Sequence, residues 1–154
     1  MKLYRVGPAR FSYDLSGKGA ELNGGRWNSK GVPLLYTCET IPLCLGELLV
    51  HLPKDVPKDY RLTTICVQPE PSMIQTDVEQ LPPEWMAVPY SESTQLMGDS
   101  FVRMHQSLIL KVPSVVVVHS YNYLINPQHP AFSSVTVENV EPFPIDHRLI
   151  AARS

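Results

Sequence analysis

This chain lacks a strong charge of either sign: its formal net charge is −2. So weak a balance exerts no global pull toward nucleic acid or an anionic membrane, and an anionic ligand must be held by a local group of side chains. Lys/Arg clusters interleaved with aromatics are also missing, which argues against direct nucleic-acid binding. Cysteine is scarce: Cys38, Cys44 and Cys66 form an odd set without C-x-x-C spacing, so neither a disulfide framework nor a zinc site is suggested. The apolar block Val115-Val116-Val117-Val118 is strand-sized and far too short to span a bilayer. Met1 to Val6 lacks the apolar run of a signal peptide, and the expectation is a cytoplasmic protein with reduced thiols.

What is present describes an ordinary folded chain. The 154 residues are 44% hydrophobic and 18% charged, a balance that supports a buried core without staples and fits one domain over residues 1–154. The 15 prolines limit long helices, because each lacks an amide donor and restricts the residue before it. Short strands and loops around a few short helices follow: an α+β class, single compact domain with mixed or antiparallel sheets.

Along the chain, residues 3–6 and 32–37 read as strands, separated over residues 13–31 by a long Gly/Ser/Asn-rich loop. Tyr13 and Trp27 mark that loop as ordered, and a loop of such length is usually functional. Thr40 caps a helix over residues 41–52, with Pro42 in its first turn, Leu45, Leu48, Leu49 and Leu52 at helical spacing, and Pro53 beyond its end. Residues 61–68 read as a strand and 69–95 as an irregular proline-rich excursion. Asp99 is expected to cap a second helix through about Ser107. Residues 108–110, 114–118 and 133–137 read as further strands, with Asn126-Pro127-Gln128-His129-Pro130 as a rigid turn.

Several residues carry chemistry, each with an ordinary alternative. Gly24-Gly25-Arg26-Trp27-Asn28 puts a guanidinium fork on a glycine-loosened loop. Arg26 can clamp a phosphate, pair with Asp14 or Glu21, or stack on Trp27. Glu47 lies beside the apolar stripe of the helix and is either a solvent-edge neighbour of His51 or a carboxylate buried against a partner. A third ligand at diagnostic spacing is missing, so no metal is expected on Glu47 and His51. Tyr36 packs in the core with its hydroxyl outward, or walls a site. Ser114 lacks a G-x-S-x-G elbow, which speaks against a hydrolase nucleophile and for a strand-entry hydroxyl. A Cys38–His pair has no local support.

Order and spacing join these pieces. Tyr4-Arg5, Leu15-Ser16-Gly17-x-Gly19-Ala20, Gly24-Gly25-Arg26-Trp27-Asn28-Ser29-x-Gly31 and Leu35-Tyr36 are followed by Glu47-Leu48-Leu49-Val50-His51, Val112-Pro113-Ser114 and Asn122-Tyr123-Leu124-Ile125-Asn126-Pro127-Gln128-His129-Pro130. This series, from about residue 3 to about residue 150, resembles the RES domain, named for Arg, Glu and Ser at the positions of Arg26, Glu47 and Ser114. Val118-His119-Ser120-Tyr121 departs from the pattern, since relatives more often carry proline and acidic residues there.

The resemblance implies a fold similar to the ADP-ribosyltransferase fold and the toxin of a bacterial toxin–antitoxin pair. The implied partner is an antitoxin with an Xre-like helix-turn-helix, and a homodimer is a family habit. Characterised members consume NAD by hydrolysis or phosphorolysis, while one member type ADP-ribosylates a protein. NAD is then the substrate and no cofactor is implied. Arg26, Tyr36, Glu47 and Ser114 are the implied catalytic residues, with Trp27, Asn28 and Asn126 added as NAD contacts. The chemistry is consistent with one carboxylate. Nicotinamide leaves NAD as a neutral molecule without protonation, so the paired acid of ordinary glycoside hydrolysis is dispensable.

Overall fold

The computed structural model describes residues 1–56 and 58–151; Pro57 and residues 152–154 lie outside the described residues. Seven strands form one mixed sheet: β1 (Lys2–Pro8), β2 (Leu35–Cys38), β3 (Tyr60–Cys66), β4 (Met73–Gln75), β5 (Ile109–Pro113), β6 (Tyr121–Ile125) and β7 (Thr136–Pro142). Their order across the sheet is β4-β5-β6-β2-β1-β3-β7. Neighbours run antiparallel, apart from the parallel edge pair β4–β5. The helices among the described residues are α1 (Lys18–Asn23), α2 (Ile41–Leu49), α3 (Glu92–Met104) and α4 (His147–Ala151). The α+β expectation holds.

Alternation along the inner strands shows why both sheet faces are covered. Ile109, Tyr123 and Ile125 belong to one buried cluster with Leu3, Leu35 and Ile65. Leu110, Val112 and Leu124 belong to another, with Trp27, Leu34, Trp85 and Phe101. Successive side chains point to opposite faces of a strand, so β5 and β6 feed two cores at once.

The helix α2 forms where its signals lie. Thr40 is extended, and its Oγ1 accepts from the Leu43 amide at 3.3 Å, with Pro42 in the first turn. It ends at Leu49, short of residue 52. The second helix corrects the expectation for Asp99. Ser91 caps α3, and Asp99 is buried mid-helix. Its carboxylate is taken by the Ser29 amide and hydroxyl instead; beside it a Cβ on Gly98 would collide with the backbone carbonyl of Trp27, so this glycine lets the helix run directly against the 24–28 loop.

Other segments also differ from expectation. The 13–31 loop contains α1, ended by Gly24 at φ 72°. Its entry is held by Arg5, which donates to the carbonyls of Asp14, Phe11 and Ser12 at 2.7, 2.8 and 3.2 Å. The valine run 115–118 is not a strand but the exposed crossing between β5 and β6. Ser114 N bonds Ser120 O at 2.8 Å, and His119 reverses the chain at φ 65°. A β-branched run reads as strand locally, but here no neighbouring strand pairs with it. Residues 130–134 form a 3-10 turn before β7; β6 arises in residues 121–125, for which no element is expected, and β4 within the stretch read as an irregular excursion. None of the helices among the described residues is long and apolar enough to cross a membrane.

Candidate active site

Gly25 and Asn28 form an isolated β-bridge, with Gly25 N donating to Asn28 O at 2.9 Å. The tight turn places Arg26 and Trp27 at its tip and sends them opposite ways. Trp27 is 2% exposed within a core cluster, whereas Arg26 is half-buried. Glycine is required at position 25, because a Cβ there would lie 2.6 Å from the Tyr36 hydroxyl.

Arg26 is pinned on one nitrogen. Its Nη1 donates to the carbonyls of Trp85 and Ala87 at 2.8 and 2.9 Å, and Tyr90 lies 5.0 Å from the guanidinium carbon, ring centroid to Cζ. Neither expected ion pair forms: the Asp14 carboxylate accepts from Ser16 N, and Glu21 pairs with Lys18. Burial lowers the guanidinium's proton affinity, opposed by Tyr90, Glu47 and Tyr36, but arginine stays charged at any working pH. With Nη1 occupied, the Nε–Nη2 edge is the part left for a ligand, and that edge matches two oxygens of a phosphate.

Tyr36 holds the turn from below. Its hydroxyl donates to Asn28 Oδ1 at 2.7 Å and accepts from Trp27 N at 3.0 Å. Burial pushes this phenol well above its ordinary value, so it remains protonated.

Glu47 projects from α2 toward the β5–β6 crossing. Its Oε1 accepts from Ser114 Oγ at 2.6 Å and from Asn122 Nδ2 at 2.9 Å. Ser114 is buried, and its Oγ also accepts from the amides of Val116 and Val117 at 3.0 and 3.1 Å. No donor among the described residues reaches Glu47 Oε2. His51, the expected i,i+4 neighbour, is exposed. The result is a fixed carboxylate with one free oxygen, close enough to Arg26 to act on its charge.

The fold thus brings Arg26, Tyr36, Glu47 and Ser114 into one neighbourhood. Trp27, Asn28 and Asn126 lie behind it. Asn28 is fully buried, and its Nδ2 donates to the carbonyls of Ala20, Ser29 and Val32. Asn126 is equally buried, donating to Val102 O and accepting from Gln128 N. Both asparagines are committed to backbone and, for Asn28 Oδ1, to the Tyr36 hydroxyl, which leaves them no polar group to offer a ligand. Asp99 joins this support, taking the Ser29 amide and hydroxyl at 2.8 and 2.6 Å.

Sequence reasoning missed Asn122 and Tyr90. Asn122 lies inside the 122–130 motif, but only the pairing of β6 with β2, against which α2 packs, brings it to Glu47. Tyr90 lies in the proline-rich excursion and carries no local signal. A cleft of about 330 Å3 lined by Ile74, Thr76, Met97, Phe101, Met104 and Leu110 lies elsewhere, against α3, and contains none of these site residues.

The chain belongs to the RES domain family: the family model, described as the RES domain, matches residues 2–146. It is similar to Toxin Res of Pseudomonas putida, with 37% identity over 88% of this chain and 92% of that toxin. Toxin Res of Photorhabdus laumondii is 34% identical over 99% of each chain. The Prs ADP-ribosylating toxin of a Sphingobium species is 34% identical over 89% of this chain and 87% of that one. Among solved structures, the M. tuberculosis MbcT–MbcA toxin–antitoxin complex contains a chain with the same fold. The TM-score is 0.76 at 19% identity, covering 98% of this chain and 87% of that chain.

Proposed function

We propose that this chain is the toxin of a toxin–antitoxin pair and that it cleaves the nicotinamide–ribose bond of NAD, with water or phosphate as acceptor. The observation that carries the reading is the Glu47 carboxylate, held through Oε1 by Ser114 and Asn122 with Oε2 open, in electrostatic reach of Arg26. Its family supports the toxin role, since its relatives carry that name.

In this mechanism Arg26 grips the pyrophosphate or the adjoining ribose through its Nε–Nη2 edge. Tyr36 and Tyr90 supply the aromatic surface beside it. The C1′–N bond breaks, and its electron pair goes to the pyridinium nitrogen, so nicotinamide leaves uncharged. Glu47 Oε2 faces the positive charge that develops on the ribose. Water then adds its oxygen to C1′ and loses a proton, giving ADP-ribose; phosphate would instead give the ribosyl phosphate. The partner is an Xre-like helix-turn-helix antitoxin, a reading helped by the fold's occurrence in a toxin–antitoxin complex. On this reading the chain acts in the cytoplasm, on the cell's own NAD.

A second reading keeps the site and changes the acceptor to a protein side chain. The similarity to a Prs ADP-ribosylating toxin favours it. One experiment tests both: pure protein is incubated with labelled NAD, with and without phosphate and lysate. Free ADP-ribose or its phosphate supports the first reading. Label on a protein band supports the second, and intact NAD in every arm overturns both.

A further inference from the structure

Glu47 Oε1 receives two hydrogen bonds from the two arms of one hairpin: Ser114 just past β5, and Asn122 on β6. Two donors on one carboxylate oxygen occupy its two lone-pair directions and fix the plane of the group. The direction of Oε2 is then set by the hairpin rather than by the rotamer freedom of a helix side chain. Asn122 can do this only if its nitrogen, not its oxygen, faces Glu47. Its other end answers that requirement: Asn122 Oδ1 lies 3.4 Å from Cys38 Sγ, which donates to it. With the amide reversed, two acceptor oxygens would face each other and the amide nitrogen would face a thiol.

Resting on the functional reading above, we propose that Asn122 is a positioning residue for the Glu47 carboxylate, and that Cys38 fixes the sense of its amide. Cys38 is suited to the task. It is buried at the end of β2, beside Cys44. The neighbouring Cys44 and burial, together with the nearby Glu47 and Glu39, push its thiol far above the ordinary range. The thiol therefore keeps the hydrogen it donates. No oxidation or metal is involved. Three elements, β2, β6 and α2, are joined in one line of bonds that ends on Glu47 Oε1 and so sets the direction of the open Oε2.

The test uses the purified chain with NAD and four variants: Asn122→Ala, Asn122→Asp, Cys38→Ala and Cys38→Ser. Asn122→Ala should lower kcat by about 10- to 100-fold with KM within about twofold and an unchanged melting temperature, the range expected for one lost orienting donor. Asn122→Asp keeps the shape, sets a carboxylate against Glu47 and should be at least as impaired; it also serves if the alanine variant does not fold. Cys38→Ala should lower kcat by a smaller factor, and Cys38→Ser, which keeps a donor, should restore it. Wild-type kcat in Asn122→Ala, or a rise in KM alone, overturns the proposal. If the wild type itself leaves NAD intact, the functional reading fails. Crystal structures of wild type and Asn122→Ala then decide positioning: a turned Glu47 carboxylate supports it, and an unmoved one overturns it.

Discussion

Ser114 Oγ stands 2.6 Å from Glu47 Oε1, joining residues 67 positions apart in the chain. Both acceptor directions of this hydroxyl are filled by the amides of Val116 and Val117, which leaves its hydrogen only Glu47 to address. A serine bonded in this way has its hydrogen spent on the carboxylate and its lone pairs on two amides.

Glu47→Gln should abolish NAD loss, because a neutral amide cannot face a developing cation, while its carbonyl can still accept from Ser114 and Asn122. Ser114→Ala should cost about 10²-fold in kcat and less in KM, the usual loss for one preorganised hydrogen bond. Steady-state assays on protein with unchanged circular dichroism check both. Wild-type turnover in Glu47→Gln would remove it from the mechanism.

Arg26→Lys should behave almost like Arg26→Ala. A lysine ammonium cannot bridge the Trp85 and Ala87 carbonyls and also present two parallel donors outward. We expect NAD turnover to fall at least about tenfold in the lysine variant, with the loss mainly in kcat/KM. The comparison of the two variants at saturating and limiting NAD reads it directly.

Tyr90 covers the same guanidinium with its ring face, at 5.0 Å. Tyr90→Phe should leave KM for NAD near wild type, since the ring is kept. Tyr90→Ala should raise it several-fold, in line with loss of about 0.5–1 kcal/mol from an exposed cation–aromatic contact. Equal KM values for the two variants would mean that the ring contributes nothing.

Gly98→Ala should destabilise the protein. The added methyl meets the Trp27 backbone, which cannot swing aside as a side chain would. Overpacking of this kind costs about 1–3 kcal/mol, read as a lower urea midpoint, and it should disturb the Arg26 turn as well.

Tyr36→Phe should cost about 1–2 kcal/mol, because Asn28 Oδ1 and the Trp27 amide each lose their partner. The pH dependence has a definite sign. The folded protein keeps this phenol protonated, whereas the unfolded chain begins to lose its proton near pH 10. Stability therefore falls as the pH rises above about 10, and less steeply in Tyr36→Phe. Urea midpoints of the two proteins at pH 8 and pH 10.5 check it.

Elements with strong local signals were legible in advance. The Thr40 cap, Pro42 and the leucine spacing identify α2, and apolar runs flanked by polar turns identify β1 and β3. The valine run beyond Ser114 was not, because strand propensity describes a side chain and not the presence of a pairing neighbour. Asp99 misled for a related reason. It has the chemistry of a helix cap, but here that carboxylate serves Ser29 across 70 residues.

The series of motifs from Tyr4 to Pro130, in order, was enough to identify the family and to nominate Arg26, Tyr36, Glu47 and Ser114 as side chains worth watching. The division of labour between neighbours was decided by the tertiary structure alone. At the tip of one turn Arg26 looks outward and Trp27 inward, and of two asparagines four apart, Asn122 meets Glu47 while Asn126 is consumed by Val102 and Gln128. The physical reason is that residue type fixes what a group can donate or accept, whereas sheet pairing and core packing decide which groups come within 3 Å of one another.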